Sequence, residues 1–220
     1  MNVLIYSIYK PTGWTSFDVV KKIRGITKEK KVGHGGTLDP FAEGLLIIAT
    51  GKDTKQLANI SGASKSYRAV LKLGKTTDTL DTEGQIIDTK PVPELNEKII
   101  INVLNKFVGE YEQIPPMFSA KRVNGVRLYK LARKNKTVER KPIIVNINNI
   151  SLNSLNGDSV DFSVTCSKGT YIRVLGQDIA NKLGTVGYLI RLIREKVGKF
   201  QINDSSTIEK FESVWMSTVH

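Results

Sequence analysis

Lys31-Val-Gly-His-Gly-Gly-Thr-Leu-Asp-Pro-Phe-Ala-Glu-Gly44 carries four glycines and a histidine around a single aspartate, with proline directly behind it. Glycine at that density weakens helix and strand alike, so the segment follows an irregular backbone path. Pro40 drives Asp39 out of the α region toward an extended conformation. The stretch reads either as a loop that displays one carboxylate with little side-chain bulk around it, or as a plain glycine-rich turn closed by Asp-Pro.

Working outward, Val3 to Tyr9 is apolar and β-prone, and Pro11-Thr-Gly breaks it. Ser16 is placed to cap a helix on which Val19, Ile23 and Ile26 share a face. Downstream of the loop, Leu45 to Thr50 reads as a buried strand, and Asp53 as the cap of a short helix to Ile60. Tyr67, Ala69, Leu71 and Leu73 alternate with Arg68, Val70 and Lys72, the period of a strand with one richer apolar face. Ile100, Val103, Leu104 and Phe107 predict an amphipathic helix. Asn156-Gly157 predicts a hairpin leading into a strand with Val160, Phe162, Val164 and Cys166 on one face. Leu175, Ile179 and Leu183 predict a helix that Gly184 stops. Hairpins outnumber βαβ units, so the expected fold is α+β (mixed α/β), built on a largely antiparallel sheet.

The chain has 220 residues, enough to bury a real core. Thirty-three basic residues against twenty-one acidic leave a net charge of +12, which suits a polyanionic partner, nucleic acid ahead of a membrane surface. The lone Cys166 excludes an internal disulfide framework and fits a reducing compartment. With no signal-like start and no apolar run of membrane-spanning length, the expected location is cytoplasmic. Only His34, His220 and Cys166 offer nitrogen or sulfur ligands, which argues against a zinc site and leaves a carboxylate-only Mg²⁺ site open.

Familiar nucleotide motifs fail. Gly74-Lys75-Thr76 has Ala69 where a phosphate loop needs glycine, no GxGxxG occurs, and Asp78 to Gly84 reads as an acidic turn and not a calcium loop. The basic residues cluster instead. Lys121 to Lys141 holds nine Lys and Arg against Glu139, and Lys21 to Lys31 holds six against Glu29, abutting the glycine loop. Each cluster alone reads as a solvated face; two of them beside a displayed carboxylate suit a surface that follows an RNA backbone. A carboxylate there points to glycosidic chemistry on a nucleotide, where it can attack C1′, stabilise charge on the sugar or remove a neighbouring proton. No second carboxylic acid is evident, which favours a reaction that recaptures the leaving base over hydrolysis.

Four motifs, in order, resemble the bacterial TruB-type tRNA pseudouridine synthases. They are Tyr9-Lys-Pro-Thr-Gly-Trp-Thr-Ser16, Gly33-His-Gly-Gly-Thr-Leu-Asp-Pro40, Tyr67 with Gly74-Lys-Thr-Thr-Asp-Thr-Leu-Asp81, and Lys168-Gly-Thr-Tyr-Ile-Arg173. Gln113-Ile-Pro-Pro-Met-Phe-Ser-Ala-Lys121 and Asn124-Gly-Val-Arg-Leu-Tyr-Lys-Leu-Ala-Arg133 are also similar to the family, and the likeness runs to about Phe200.

The resemblance implies a pseudouridine synthase fold and isomerisation of the T-loop uridine at tRNA position 55. The uridine flips out, uracil leaves C1′, rotates, and rejoins through C5. It implies that Asp39 is the catalytic aspartate, either nucleophile at C1′ or base at C2′. It assigns His34 to the displaced T-loop nucleotides, Tyr67 to stacking on the uracil, Tyr171 and Leu192 to the uridine pocket, and Arg173 to pairing with the aspartate. The loop glycines would let RNA approach closely. Without the resemblance, Tyr67 and Leu192 read as core and Tyr171-Ile172-Arg173 as a strand end.

No cofactor or metal is implied, and the expected partner is the tRNA T stem-loop. Residues 1–220 are expected to form a single catalytic domain. Only a short stretch follows Val197-Gly-Lys-Phe200, so a C-terminal PUA-type domain is not expected, nor an obligate protein partner or guide RNA. Two positions depart from the family pattern, Tyr9 where many members have Asp, and Ile193-Arg194 where many have paired arginines. Neither is expected to touch the chemistry.

Overall fold

The computed structural model describes residues 4–123, 125–134 and 136–219, so Asn124 of the sixth motif and His220 lie outside the described residues. The chain divides into two compact units, Met1–Arg68 with Leu192–His220, and Ala69–Arg191. Among the described residues no helix is long and apolar enough to cross a membrane.

In the first unit, β1 (Ile5–Lys10) is followed by α1 (Ser16–Thr27), β2 (Val32–His34) and β3 (Glu43–Thr50). β3 is buried from Gly44 to Thr50, as its apolar run predicts, because β1 and β2 both pair with it antiparallel. A 3-10 turn, Gly51–Gln56, leads into α2 (Leu57–Gly62) and the start of β4 (Lys65–Leu73). The unit is completed by the end of β12 (Gly187–Val197), β13 (Phe200–Gln201) and α6 (Ile208–Val219). Val19, Ile23 and Ile26 of α1 pack with Ile8, Leu46, Ile48, Ile208 and Phe211.

Two expected caps differ. The residue capping α1 is Thr15, whose hydroxyl accepts from Asp18 N while the Asp18 carboxylate accepts from Thr15 N, a capping box. Asp53 caps nothing; its carboxylate accepts from Leu4 N and from Gln56, and α2 starts without a side-chain cap.

The second unit holds the rest of β4, β5 (Lys75–Thr77), β6 (Ile86–Thr89), α3 (Glu97–Asn105) and β7 (Gly109–Gln113). It continues through β8 (Arg122–Val123), β9 (Val126–Arg127), α4 (Leu128–Ala132), β10 (Ile143–Asn156), β11 (Ser159–Cys166), α5 (Ile172–Lys182) and the start of β12. The Asn156-Gly157 signal is realised as the β10–β11 hairpin, with Asn156 opposite Ser159 and Gly157 at φ 59°. The alternation along β11 buries Val160, Phe162, Val164 and Cys166. β7 and β11 flank β10 antiparallel. The architecture is the mixed α/β class with largely antiparallel pairing; the end of β12 lies parallel to β3, with Ile193 opposite Glu43 and Arg194 opposite Gly44.

Candidate active site

Between β2 and β3 the glycine loop has no regular secondary structure, so its backbone groups need other partners. They have them. Arg194 Nη2 donates to Gly36 O at 3.1 Å and Nη1 to Thr37 O at 3.2 Å. Ser16 Oγ donates to Leu38 O at 3.1 Å and accepts from Leu38 N at 2.8 Å. Asp39 O accepts from Ala42 N, and Pro40 O accepts from both Gly13 N and Lys10 Nζ. Every carbonyl from Gly36 to Pro40 is therefore engaged, and the aspartate sits on a backbone fixed on both sides. The stretch is an irregular loop that ends in a turn at Pro40-Phe41, with Asp39 half-buried.

Lys10 and Arg194 hold this loop as buried cations. Lys10 is fully buried, and besides Pro40 O its ammonium donates to Trp14 O at 2.6 Å and Pro11 O at 2.9 Å. Arg194 is 1% exposed, and its Nε donates to Leu45 O at 2.8 Å. Burial pushes its guanidinium below the ordinary arginine value, opposed by the charge and side-chain hydrogen bond of Tyr67 and by the charge of Asp39. An arginine in a protein stays protonated even so. Arg194 thus stands close to two of the expected site residues, Tyr67 and Asp39. At the other departure, Tyr9 donates its hydroxyl to Glu43 Oε2 at 2.6 Å.

Two loop glycines serve the protein's own packing. A Cβ on Gly35 would come 2.8 Å from Ile60 Cγ2 of α2. Gly44, at φ 104°, would place a Cβ 2.6 Å from Arg194 O, so only glycine lets β12 lie this close to β3. His34 ends β2, and its Nδ1 is buried without a hydrogen-bond partner among the described residues. Burial, and after it the positive charge of Arg194, push the imidazole below the usual histidine range; a backbone hydrogen bond with Gly36 opposes them. Tyr67 on β4 and Leu192 on β12 are both buried.

Tyr171 and Arg173 belong to the second unit, at the head of α5 and not at a strand end. Gln113, 1% exposed, grips Tyr171 by its main chain: Nε2 donates to Tyr171 O at 3.0 Å, and Oε1 accepts from Tyr171 N at 2.8 Å. The amide imitates one step of a β-ladder where α5 begins. Arg173 is buried; Nη1 donates to Thr79 O at 2.5 Å and lies 3.3 Å from Asp81 Oδ2, while Nη2 donates to Phe118 O at 2.9 Å. The acidic turn from Asp78 to Gly84 thereby acquires a purpose, since its buried Asp81 is a counterion of Arg173. Farther along α5, Asp178 accepts from the Tyr111 hydroxyl; burial, foremost, raises both groups above their ordinary values.

Each unit carries one of the basic clusters. Lys21, Lys28, Lys30 and Lys31 are exposed in the first. Arg122, Arg127, Lys130, Arg133, Lys134, Lys136 and Lys141 are exposed in the second, where buried Leu128 anchors α4. Among the described residues no group of three or more His, Cys, Asp or Glu is placed to hold a metal ion.

The sequence reading gives no site role to Lys10, Ser16, Asp81, Gln113 or Arg194. All but Arg194 stand inside motifs quoted for the resemblance, which was the available signal; what each side chain grips was not in it.

A half-buried Asp-bearing loop held by hydrogen bonds, on a mixed, largely antiparallel fold with exposed basic clusters, fits a pseudouridylate synthase, an isomerase. Residues 24–172 match the TruB family pseudouridylate synthase (N terminal domain), and the chain belongs to that family. It is 48% identical to tRNA pseudouridine synthase B of Clostridium tetani, over 95% of this chain and 72% of that protein. It is 42% identical to tRNA pseudouridine synthase B of Lactococcus lactis subsp. lactis, over 94% of this chain and 66% of that protein. Among solved structures, it is similar to a chain of a Cbf5-Nop10-Gar1 complex, with a TM-score of 0.78 and 27% identity over 99% of this chain and 57% of that one. An H/ACA RNP bound to a substrate RNA containing 2'-deoxyuridine gives a TM-score of 0.74 at 26% identity, over 99% of this chain and 56% of that one.

Proposed function

We propose that this protein isomerises the T-loop uridine at tRNA position 55 to pseudouridine, with Asp39 as the catalytic carboxylate. The fixed backbone around Asp39 supports this reading: with the carbonyls engaged from Gly36 to Pro40, the main chain that carries the carboxylate has little freedom left to lose in the transition state. The two relatives named tRNA pseudouridine synthase B support the substrate class.

In the reaction, the N1–C1′ bond of a flipped uridine breaks, uracil turns within the pocket, and a C5–C1′ bond forms. The proton that leaves C5 is balanced by one gained at N1, so no oxidant, reductant or cofactor enters. Asp39 acts on the ribose, as nucleophile at C1′ or base at C2′. In this reading Tyr67 stacks on the uracil, Tyr171 and Leu192 each contact the uridine, Arg173 is a further substrate-binding residue, and His34 holds the displaced T-loop nucleotides. The exposed lysines and arginines supply phosphate contacts, which set affinity more than chemistry.

The test is to incubate the protein alone with unmodified tRNA tritiated at uridine C5. Release of tritium to water with the RNA chain intact, abolished by Asp39→Asn while tRNA affinity stays within a few-fold, is the expected result. Binding without release would make the protein an RNA-binding module, and free uracil would make it a hydrolase. An Asp39→Asn rate within about tenfold of wild type would remove Asp39 from its role.

A further inference from the structure

We infer that Arg194 is a positioning residue for the isomerisation, setting the place of Asp39 by holding the carbonyls of Gly36 and Thr37 and the base of β3 at Leu45. The inference rests on the reading of Asp39 as the catalytic carboxylate.

Arg194 stands opposite Gly44 in the parallel β3–β12 contact, where the missing Cβ brings the two backbones together. From there its side chain runs under the loop. Its Nη1 and Nη2 take two successive carbonyls, and its Nε takes Leu45 O at the start of the buried part of β3. One planar group thus ties the loop's entry to the strand that follows its exit, with Asp39 between. Gly36 and Thr37 lie three and two residues before Asp39 in sequence.

A lysine cannot reproduce this. Its ammonium is a point donor on a flexible stem, whereas the guanidinium fixes three N–H directions in one plane. Tyr67, the expected stacking residue, also interacts with this guanidinium through its side chain. Full burial of the cation has a large desolvation cost, which backbone dipoles and nearby Asp39 offset. For such a group, displacement of the loop by about 1 Å is expected to slow the chemistry by about tenfold to a hundredfold without touching RNA phosphates.

The experiment uses the full chain as Arg194→Lys, Arg194→Gln and Arg194→Met beside Asp39→Asn. Single-turnover rates with saturating enzyme, equilibrium affinity for an unmodified T stem-loop, and thermal melting by circular dichroism are measured for each. Rates are taken well below each variant's melting temperature. The expected result is that Arg194→Lys binds the stem-loop within threefold of wild type but reacts at least roughly tenfold more slowly, with Arg194→Met slower still.

Wild-type rates in all folded Arg194 variants, with Asp39→Asn inactive, would overturn the inference and leave the Asp39 reading intact. An active Asp39→Asn would overturn both. A rate loss matched by equal loss of affinity, or failure of all three substitutions to fold, would make Arg194 a structural residue only and also overturn it.

Discussion

Burial, and after it the guanidinium of Arg194, hold the folded pKa of His34 below the ordinary value. The sign for stability follows from which state binds the proton. Below about pH 6.5 the unfolded chain takes up a proton that folded His34 resists, so stability is full above that pH and falls as the pH drops toward the lowered folded value. Replacing His34 with Gln should remove this contribution. Urea unfolding midpoints of His34→Gln are expected to decline less than those of wild type between about pH 6.5 and 5. Parallel declines would show that the imidazole titrates alike in both states. His34 itself was legible in the sequence as part of Gly33-His-Gly-Gly-Thr-Leu-Asp-Pro40. Its electrostatic partner was not, because Arg194 lies at the far end of the chain.

At the level of elements, periodicity was a good guide wherever one face is buried. β4 and β11 bury alternate residues as their alternation predicts. Helix starts were less legible, because Ser, Thr and Asp have several uses for their oxygens. Thr15 caps α1, which frees Ser16 to clamp Leu38 of the glycine loop. The head of α5 has no side-chain cap of its own; instead the Gln113 amide from the end of β7 grips Tyr171. Gln113→Leu keeps the bulk and removes both hydrogen bonds, leaving the Tyr171 N–H and C=O without these partners. It is expected to cost about 1–3 kcal/mol of stability in urea unfolding and to slow isomerisation more than it weakens tRNA binding. Unchanged stability would mean that water replaces the amide at this point.

Taken as a whole molecule, the protein distributes its positive charge so that each unit carries one exposed basic cluster. If these surfaces follow an RNA backbone, each contact adds to the salt dependence of binding. The triple change Arg133→Ala, Lys134→Ala and Lys136→Ala removes three exposed cations beyond α4. The slope of log affinity for tRNA against log salt is expected to become shallower by about 2, with the single-turnover rate at saturation unchanged. An unchanged slope would place this cluster away from phosphates and leave it as a solvated face.

The sequence by itself determined the class of fold, the irregular glycine loop around Asp39, and the family. Those properties depend on near neighbours, on alternation, on Asp before Pro, and on short motifs in a fixed order. Only the tertiary structure decided how the loop is held. The hydrogen bonds that hold it join Arg194 to Gly36 across 158 residues and Ser16 to Leu38 across 22. Such pairs leave no local pattern, because any polar side chain satisfies an unpaired carbonyl if the fold brings it there. Charge makes the point most clearly. In sequence, Lys10, Asp81 and Arg194 look like ordinary surface residues, yet all three are buried. A buried charge is tolerated only where carbonyls or an opposite charge surround it, and those surroundings exist only once the chain has folded.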